Sequence, residues 1–301
     1  MNANMGGRLA AHFGPEGLRR FAPAELHGLA LPEPAARELV GMGLPVQVGP
    51  YFTATAGEPL PLGEYGASVG FPDVGPDEFS WCRLGTDRGA ELCVTPTGAV
   101  RAVTLGPGAA PNGAVPAAPV PAAPPMHVNA DVTAFAASLL ELDAHLPVIA
   151  APGEQDAAAV FRRLRGRLLE IDGPALRDAE AWWPRVLEAI RHALSFPFAA
   201  AFRIDDGRGG SRIETETARP GAPHPERVLW ARLAAAGVRP AQVTRIHTDL
   251  EPCSLPGNHC ARLLERFPNA ARSHGFDYGD TAASREAGLL ALMHHAAAQN
   301  R

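Results

Sequence analysis

His224-Pro225-Glu226, followed after twenty-five residues by Pro252-Cys253-Ser254-Leu255-Pro256-Gly257-Asn258-His259-Cys260, is the stretch that decides how the second half of this 301-residue chain is read. His224, Cys253 and Cys260 offer one nitrogen and two sulfurs, the ligand set of a catalytic zinc site whose fourth position stays open to water. Glu226, two residues on, can turn its carboxylate to that water instead of the metal. Working outward, Phe198–Ile204 reads as a strand and Ser211–Thr217 as its hairpin partner across Asp205–Gly210. Pro225 suits the first position of a helix that Gly237 closes. Val243–Thr248 reads as a third strand, Asn258–Phe267 as a second helix carrying Cys260, and Ser273–Tyr278 as a fourth strand. A last helix spans Thr281–Gln299, with Asp280 as cap and Leu289, Leu290 and Met293 toward the core. The order is β-β-α-β-α-β-α, and two helix N-termini, whose dipoles favour thiolates, deliver the ligands.

The chain as a whole is 46% hydrophobic and 20% charged, a foldable globular composition. All 27 basic residues are arginine. Residues 1–195 hold 14 Arg against 21 acidic residues, net −7, and residues 196–301 hold 13 against 11, net +2. The second segment tolerates an anionic ligand without the density of a nucleic-acid-binding surface. The N-terminus lacks the charged and apolar regions of a signal peptide, and no run of about 18 apolar residues reads as a membrane span. Four cysteines in this length form no disulfide framework. The expectation is a cytoplasmic protein with no membrane contact, compatible with export by a route that needs no signal peptide.

Before residue 196 the pattern differs. Glu33–Met42 reads as a helix with Pro34 in its first turn and Gly43-Pro45 as its stop. Short apolar runs broken by Gly and Pro follow, among them an antiparallel hairpin of Glu91–Thr95 and Val100–Val103 around Pro96-Thr97-Gly98. Cys82 and Cys93 in these strands read as small buried hydrophobes. Gly106–Pro125 is nearly all Gly, Pro, Ala and Val, a loop unable to bury enough surface to order itself. Helices follow: one capped by Asn129 or Asp131, then two over 155–194 separated by Gly173-Pro174. Trp182 and Trp183 read as packing anchors.

Two family resemblances follow from these residues. Gly43-Leu44-Pro45, Pro50-Tyr51-Phe52, the W-x-x-L-G-T-D-x-G-x-E-L-C-V run from Trp81, V-R-A-V-x-L from Val100 and V-N-x-D-V-T-A-F from Val128 resemble the SUKH superfamily, its SUKH-4 branch most. The resemblance implies an α+β domain over 8–150 that binds protein partners, as immunity proteins bind toxins. H-x-E with P-C…C is similar to the signature of zinc nucleobase deaminases, with six residues between the cysteines where that signature has two. V-T-R-I-H-T-D-L-E-P-C-S-L-P-G-N-H-C-A-R-L-L and F-D-Y-G-D-T-A-A-S-R resemble the nucleic acid or nucleotide deaminase domains of bacterial polymorphic toxins.

The second resemblance implies an α/β three-layer cytidine-deaminase-like domain over 196–301, joined to the first by a helical connector over 151–195. It implies Zn2+ on His224, Cys253 and Cys260, with Glu226 carrying protons from water to a ring nitrogen and then to departing ammonia. Asp249 stands where relatives often have Glu. Tyr278, Asp280, Ser284 and Arg285 are candidates for contact with a nucleic acid or nucleotide substrate, cytosine or adenine being the base. The SUKH-like segment is expected to regulate the enzyme, through contact within the chain or with a partner protein. Two alternatives stay open: a structural zinc completed by His259 or His247, and an immunity-type binding protein whose deaminase-like domain is inactive.

Overall fold

The computed structural model describes residues 5–106, 124–151, 156–205 and 209–299. Most of the Gly/Pro/Ala segment, and the centre of the Asp205–Gly210 turn, fall outside them. The chain divides into two compact units, one running to His145 and including Arg162–Pro184, the other comprising Leu146–Phe161 and Arg185 onward. The helices over 151–195 thus divide between the two.

In the first unit, α1 (Met5–Phe13) precedes β1 (Leu18–Arg19), and α2 (Glu33–Gly41) ends one residue short of the expected Met42. β2 (Leu44–Pro45) pairs antiparallel with β1. β3 (Gln47–Val48), β4 (Phe52–Ala54), α3 (Leu62–Ser68), β5 (Cys82–Thr86), β6 (Glu91–Val94), β7 (Val100–Val103) and β8 (Met126–Asn129) follow. The six strands β3 to β8 form one antiparallel sheet in sequence order. The expected β6–β7 hairpin is present, its turn closed by Gly98 at φ +93°, a conformation open to a residue without Cβ. Cys82 and Cys93 are fully buried, and burial pushes the Cys82 thiol up to about 12. They are inert packing groups, as expected.

α4 (Val132–Ala150) starts at a cap where Asp131 Oδ1 accepts the Ala134 N–H at 2.7 Å. Contrary to expectation, this helix has the length and mean hydropathy of a membrane span, but 61% of it is buried within the fold. Phe135, Leu139 and Leu142 are fully covered, so its apolar character is that of a core helix. α5 (Ala157–Asp172) ends at the expected Gly-Pro break, and α6 (Trp182–Ser195) begins with the two tryptophans. Both are fully buried: Trp182 Nε1 donates to Asp87 Oδ2 at 2.8 Å and Trp183 Nε1 to Asn129 Oδ1 at 2.9 Å.

The second unit keeps the expected element order: β9 (Ala199–Asp205), β10 (Ser211–Thr217), α7 (Pro225–Ala235), β11 (Val243–Leu250), α8 (Cys260–Leu264), β12 (Ala271–Phe276) and α9 (Ala282–Gln299). The sheet order is β10-β9-β11-β12, with β11 and β12 parallel around α8 and the other pairs antiparallel. Ala200, Phe202, Ile204, Val243 and Ile246 meet Leu229, Trp230 and Leu233 of α7 and Leu263 and Leu264 of α8. A bulge between Val243 and Arg245 brings Val243 to the same face as Ile246. Phe198 and Leu250 continue that face against Ala189 of α6 and Leu289 and Leu292 of α9.

On the opposite face Arg203, Thr215, Arg245, His247 and Ser273 are exposed. The three-layer expectation is therefore corrected: among the described residues helices cover one face of this sheet. Two smaller expectations also change. Leu290 is 44% exposed and Leu292 takes its place in the core. α8 is shorter than Asn258–Phe267, because His259 adopts a left-handed conformation, φ +39°, immediately before it.

Candidate active site

His224 is the N-cap of α7, extended at φ −58° and ψ 154°, with Pro225 and Glu226 as the first two helical residues. β11 ends at Leu250 and releases the chain into a loop that carries Cys253. The loop closes when the Ala261 N–H donates to the Cys253 carbonyl at 3.1 Å, which seats Cys260 at the start of α8. Nδ1 of His224 lies 3.4 Å from Cys253 Sγ and 3.8 Å from Cys260 Sγ, and the three donor atoms lie within 4.8 Å of one another. A tetrahedral zinc with ordinary bond lengths places its nitrogen and sulfur ligands about 3.6 Å apart, so the set fits the ion. Neither His247 nor His259 joins it; His247 is exposed, with Nδ1 3.0 Å from Ser273 Oγ.

Electrostatics within the set are those of thiols sharing charge with an imidazole. Burial opposes charge on every member. At Cys253 hydrogen bonding from Cys260 and the neighbouring His224 overcome it and hold the thiol well below its usual range. Cys260, buried beside that negative charge and Glu226, is pushed well above it. Burial acts most strongly on His224 and lowers it, but the charge and hydrogen bond of Cys253 and the charge of Glu226 together outweigh that and hold it raised. Burial also raises Glu226, 4% exposed, against the pull of His224.

Phe198, Glu226, Thr248, Glu251, Cys253 and Tyr278 line a small cavity of about 10 Å³, room for about one water molecule. Three buried polar atoms on its lining residues have no hydrogen-bond partner among the described residues: Glu226 Oε2, His224 Nε2 and Thr248 Oγ1. Each such atom costs about 1–3 kcal/mol unless a ligand completes it. Three on the lining of one pocket mark a place built to receive something polar.

Of the four candidate substrate contacts, only Tyr278 lines this pocket. Its phenol lies 2.5 Å from His192 Nδ1, and burial raises it, keeping it protonated. Asp280 is exposed and its carbonyl accepts from Arg285 Nη1 at 2.7 Å. Thr281 Oγ1, not Asp280, accepts the Ser284 N–H at 3.1 Å and caps α9, while Ser284 Oγ returns a bond to the Thr281 carbonyl. Arg285 is buried and paired with Glu188 Oε2 at 2.7–2.8 Å. Asp249 Oδ2 accepts the Ala199 N–H at 2.7 Å, holding β9 beside β11.

Four contributors escaped the sequence reading. Thr248 was legible in principle, since it alternates with Ile246 and Leu250 on the buried face. Glu251 accepts the N–H groups of Tyr278 (3.1 Å) and Gly279 (2.9 Å) and so aims the loop that carries Tyr278. His192 and Glu188 lie on α6, where nothing local announces partners more than eighty residues away.

The sequence model of the SUKH-4 immunity protein family matches residues 5–189, and that of the Xanthomonas-like deaminase family matches residues 197–295. No curated protein and no solved structure matches the chain. The first match covers more than half of the chain, and the second encloses every residue of the His/Cys/Cys cluster. The chain belongs to the SUKH-4 immunity protein family, fused at its C-terminal side to a deaminase domain of the Xanthomonas-like type.

Proposed function

We propose that residues 196–301, completed by the end of α6, form a zinc-dependent domain of cytidine-deaminase-like fold. It removes the exocyclic amine of cytosine or adenine by hydrolysis, within nucleic acid or nucleotide. The observation that carries this reading is the juxtaposition of Glu226 Oε2, buried and unpartnered, with a His/Cys/Cys donor set one ligand short of a closed tetrahedral site. His224, Cys253 and Cys260 would hold the zinc, and zinc, when bound, supplies a water acidified to near neutral pH. Glu226 takes a proton and delivers it to the ring nitrogen of the base, then returns one to the departing ammonia. Burial raises its carboxyl, which favours its taking up a proton. Phe198 offers an apolar wall, and Tyr278 and Thr248 offer hydroxyls to the polar edge of the base.

The SUKH-4 portion supplies the partner surface, so the chain reads as a bacterial conflict effector carrying an immunity-like regulatory unit. The test is mass spectrometry of bases after incubating the zinc-loaded full chain with single- and double-stranded DNA, RNA and free nucleosides, with Glu226→Gln as control. Uracil or hypoxanthine formed by the wild type alone establishes the reaction and names the base. Family membership over more than half of the chain favours a second reading, a binding protein with a silent deaminase domain. No product from any pool, with zinc retained, selects it.

A further inference from the structure

The spacing of six residues between Cys253 and Cys260 poses a physical problem: a longer loop has more conformations to lose before both sulfurs can meet one ion. Two side chains answer it. Asn258 is fully buried inside the loop, and its Oδ1 accepts the backbone N–H of His224 at 2.9 Å. Its Nδ2 donates back to the Pro256 carbonyl at 3.3 Å, which fixes the turn within the loop. The N–H of an N-cap residue is normally taken by a Glu or Gln three positions into the helix. Here that position is Arg227, a donor that cannot accept and a cation that opposes the helix dipole. Its guanidinium instead reaches the loop: Nε donates to the Asn258 carbonyl, and Nη2 to the His259 carbonyl at 3.3 Å.

We propose that Asn258 and Arg227 are positioning residues for the metal centre, a reciprocal latch that preorganises the Cys253–Cys260 loop against the His224 end of α7. The loop lends a side-chain acceptor to the helix, and the helix returns a side-chain donor to the loop. Neither residue is a ligand. The inference rests on the metal reading above, and a local rule broken at Arg227 is explained by what the two elements must do together.

The experiment uses the full chain stripped of metal. Cobalt is titrated by its thiolate charge-transfer and d–d absorption, zinc by competition with a chromophoric chelator, and melting of the apo protein is recorded alongside. Asn258→Ala weakens affinity for both ions by about 10- to 100-fold, the usual cost of removing a group that orients a metal ligand. Its d–d bands shift, and apo melting falls as well because the His224 N–H loses its acceptor, so the shifted bands are the readout that a merely structural role would not move. Arg227→Met weakens affinity less, and Arg227→Lys, which keeps a donor and the charge, recovers part of that loss. Affinities of Asn258→Ala and Arg227→Met equal to wild type, with unchanged cobalt spectra, overturn the latch and leave the metal site standing. If Asn258→Ala fails to fold, the Arg227 pair decides: equal affinity in Met, Lys and wild type overturns it. A wild-type chain that binds neither ion overturns both the metal site and the latch.

Discussion

The two units differ in where their unpartnered buried polar atoms gather. In the first, Asp87 is fully buried and closed: Oδ1 accepts the N–H groups of Gly89 and Ala90, and Oδ2 accepts from Trp182. Asn129 bridges Trp183 and Asp172, and Asp172 also takes the Ala130 N–H. Its orphaned atoms, His127 Nδ1 and Thr133 Oγ1, sit on half-buried residues. In the second unit, orphaned atoms on residues 2–6% exposed line one pocket. Closed networks serve the uniqueness of a fold, whereas a convergent set of open valences keeps capacity in reserve for a ligand.

The largest expected effect breaks the chemistry without breaking the fold. Glu226→Gln lowers turnover by about 10²- to 10⁴-fold, the range for a lost proton-transfer group. Zinc content and melting stay at wild-type values or better, since the amide needs no buried charge. Turnover within a few-fold of wild type would remove Glu226 from the mechanism.

Next in size is the pair that lies outside the deaminase match. Glu188→Ala removes the carboxylate that neutralises Arg285, 1% exposed, and removing one partner of a buried ion pair costs about 3–5 kcal/mol. A fragment starting at residue 196 loses Glu188 and His192 together. Denaturant melts followed by circular dichroism should show that fragment unfolding well before one starting at residue 178. Equal stability of the two would place α6 outside the functional unit.

A third effect depends on pH. His192 is fully buried between Tyr278, Arg191, Glu188 and Glu286, and burial, then the charge of Arg191, lowers it from 6.5 to about 4. Between those values the unfolded chain binds the proton and the folded chain does not, so stability rises with pH across that window and is lost on acidification. The full swing is about 3 kcal/mol at most, at 1.36 kcal/mol per unit. His192→Gln should flatten the dependence between pH 6.5 and 4. A slope that persists in the variant would assign it to another group.

Much of this was legible in advance, for reasons that differ by region. Hydrophobic periodicity and Gly-Pro punctuation located α2, the β6–β7 hairpin and all seven elements after residue 196, because those signals are local. The convergence of His224, Cys253 and Cys260 was legible because few other roles require His, Cys and Cys flanking a free Glu. The start of α8 was not, since Asn258 and His259 have ordinary helical neighbours and only the fold commits them to the loop. The cap of α9 was assigned to Asp280 when Thr281 performs it, two adjacent residues of equal competence. Nothing near Asp87 foretells a tryptophan partner 95 positions on. The part played by α6 in the second unit rests on Glu188–Arg285 and His192–Tyr278, pairings that only folding creates.

The smallest effect sets the two units against each other directly. Asn129→Leu strands the Trp183 N–H and removes one partner of Asp172, so it should destabilise by about 1–3 kcal/mol or more. Thr248→Val removes a buried hydroxyl that has no partner among the described residues and keeps the shape of the side chain. By the same physics it should leave melting within about 1 kcal/mol of wild type, on the stabilising side, because no partner is left behind. If Thr248 meets the base, the variant lowers kcat/KM while zinc affinity holds. A melt in which Thr248→Val costs as much as Asn129→Leu would mean that the hydroxyl is already satisfied in the resting protein. The contrast between a closed network and an open pocket would then fail at the atom where it is most exposed to test.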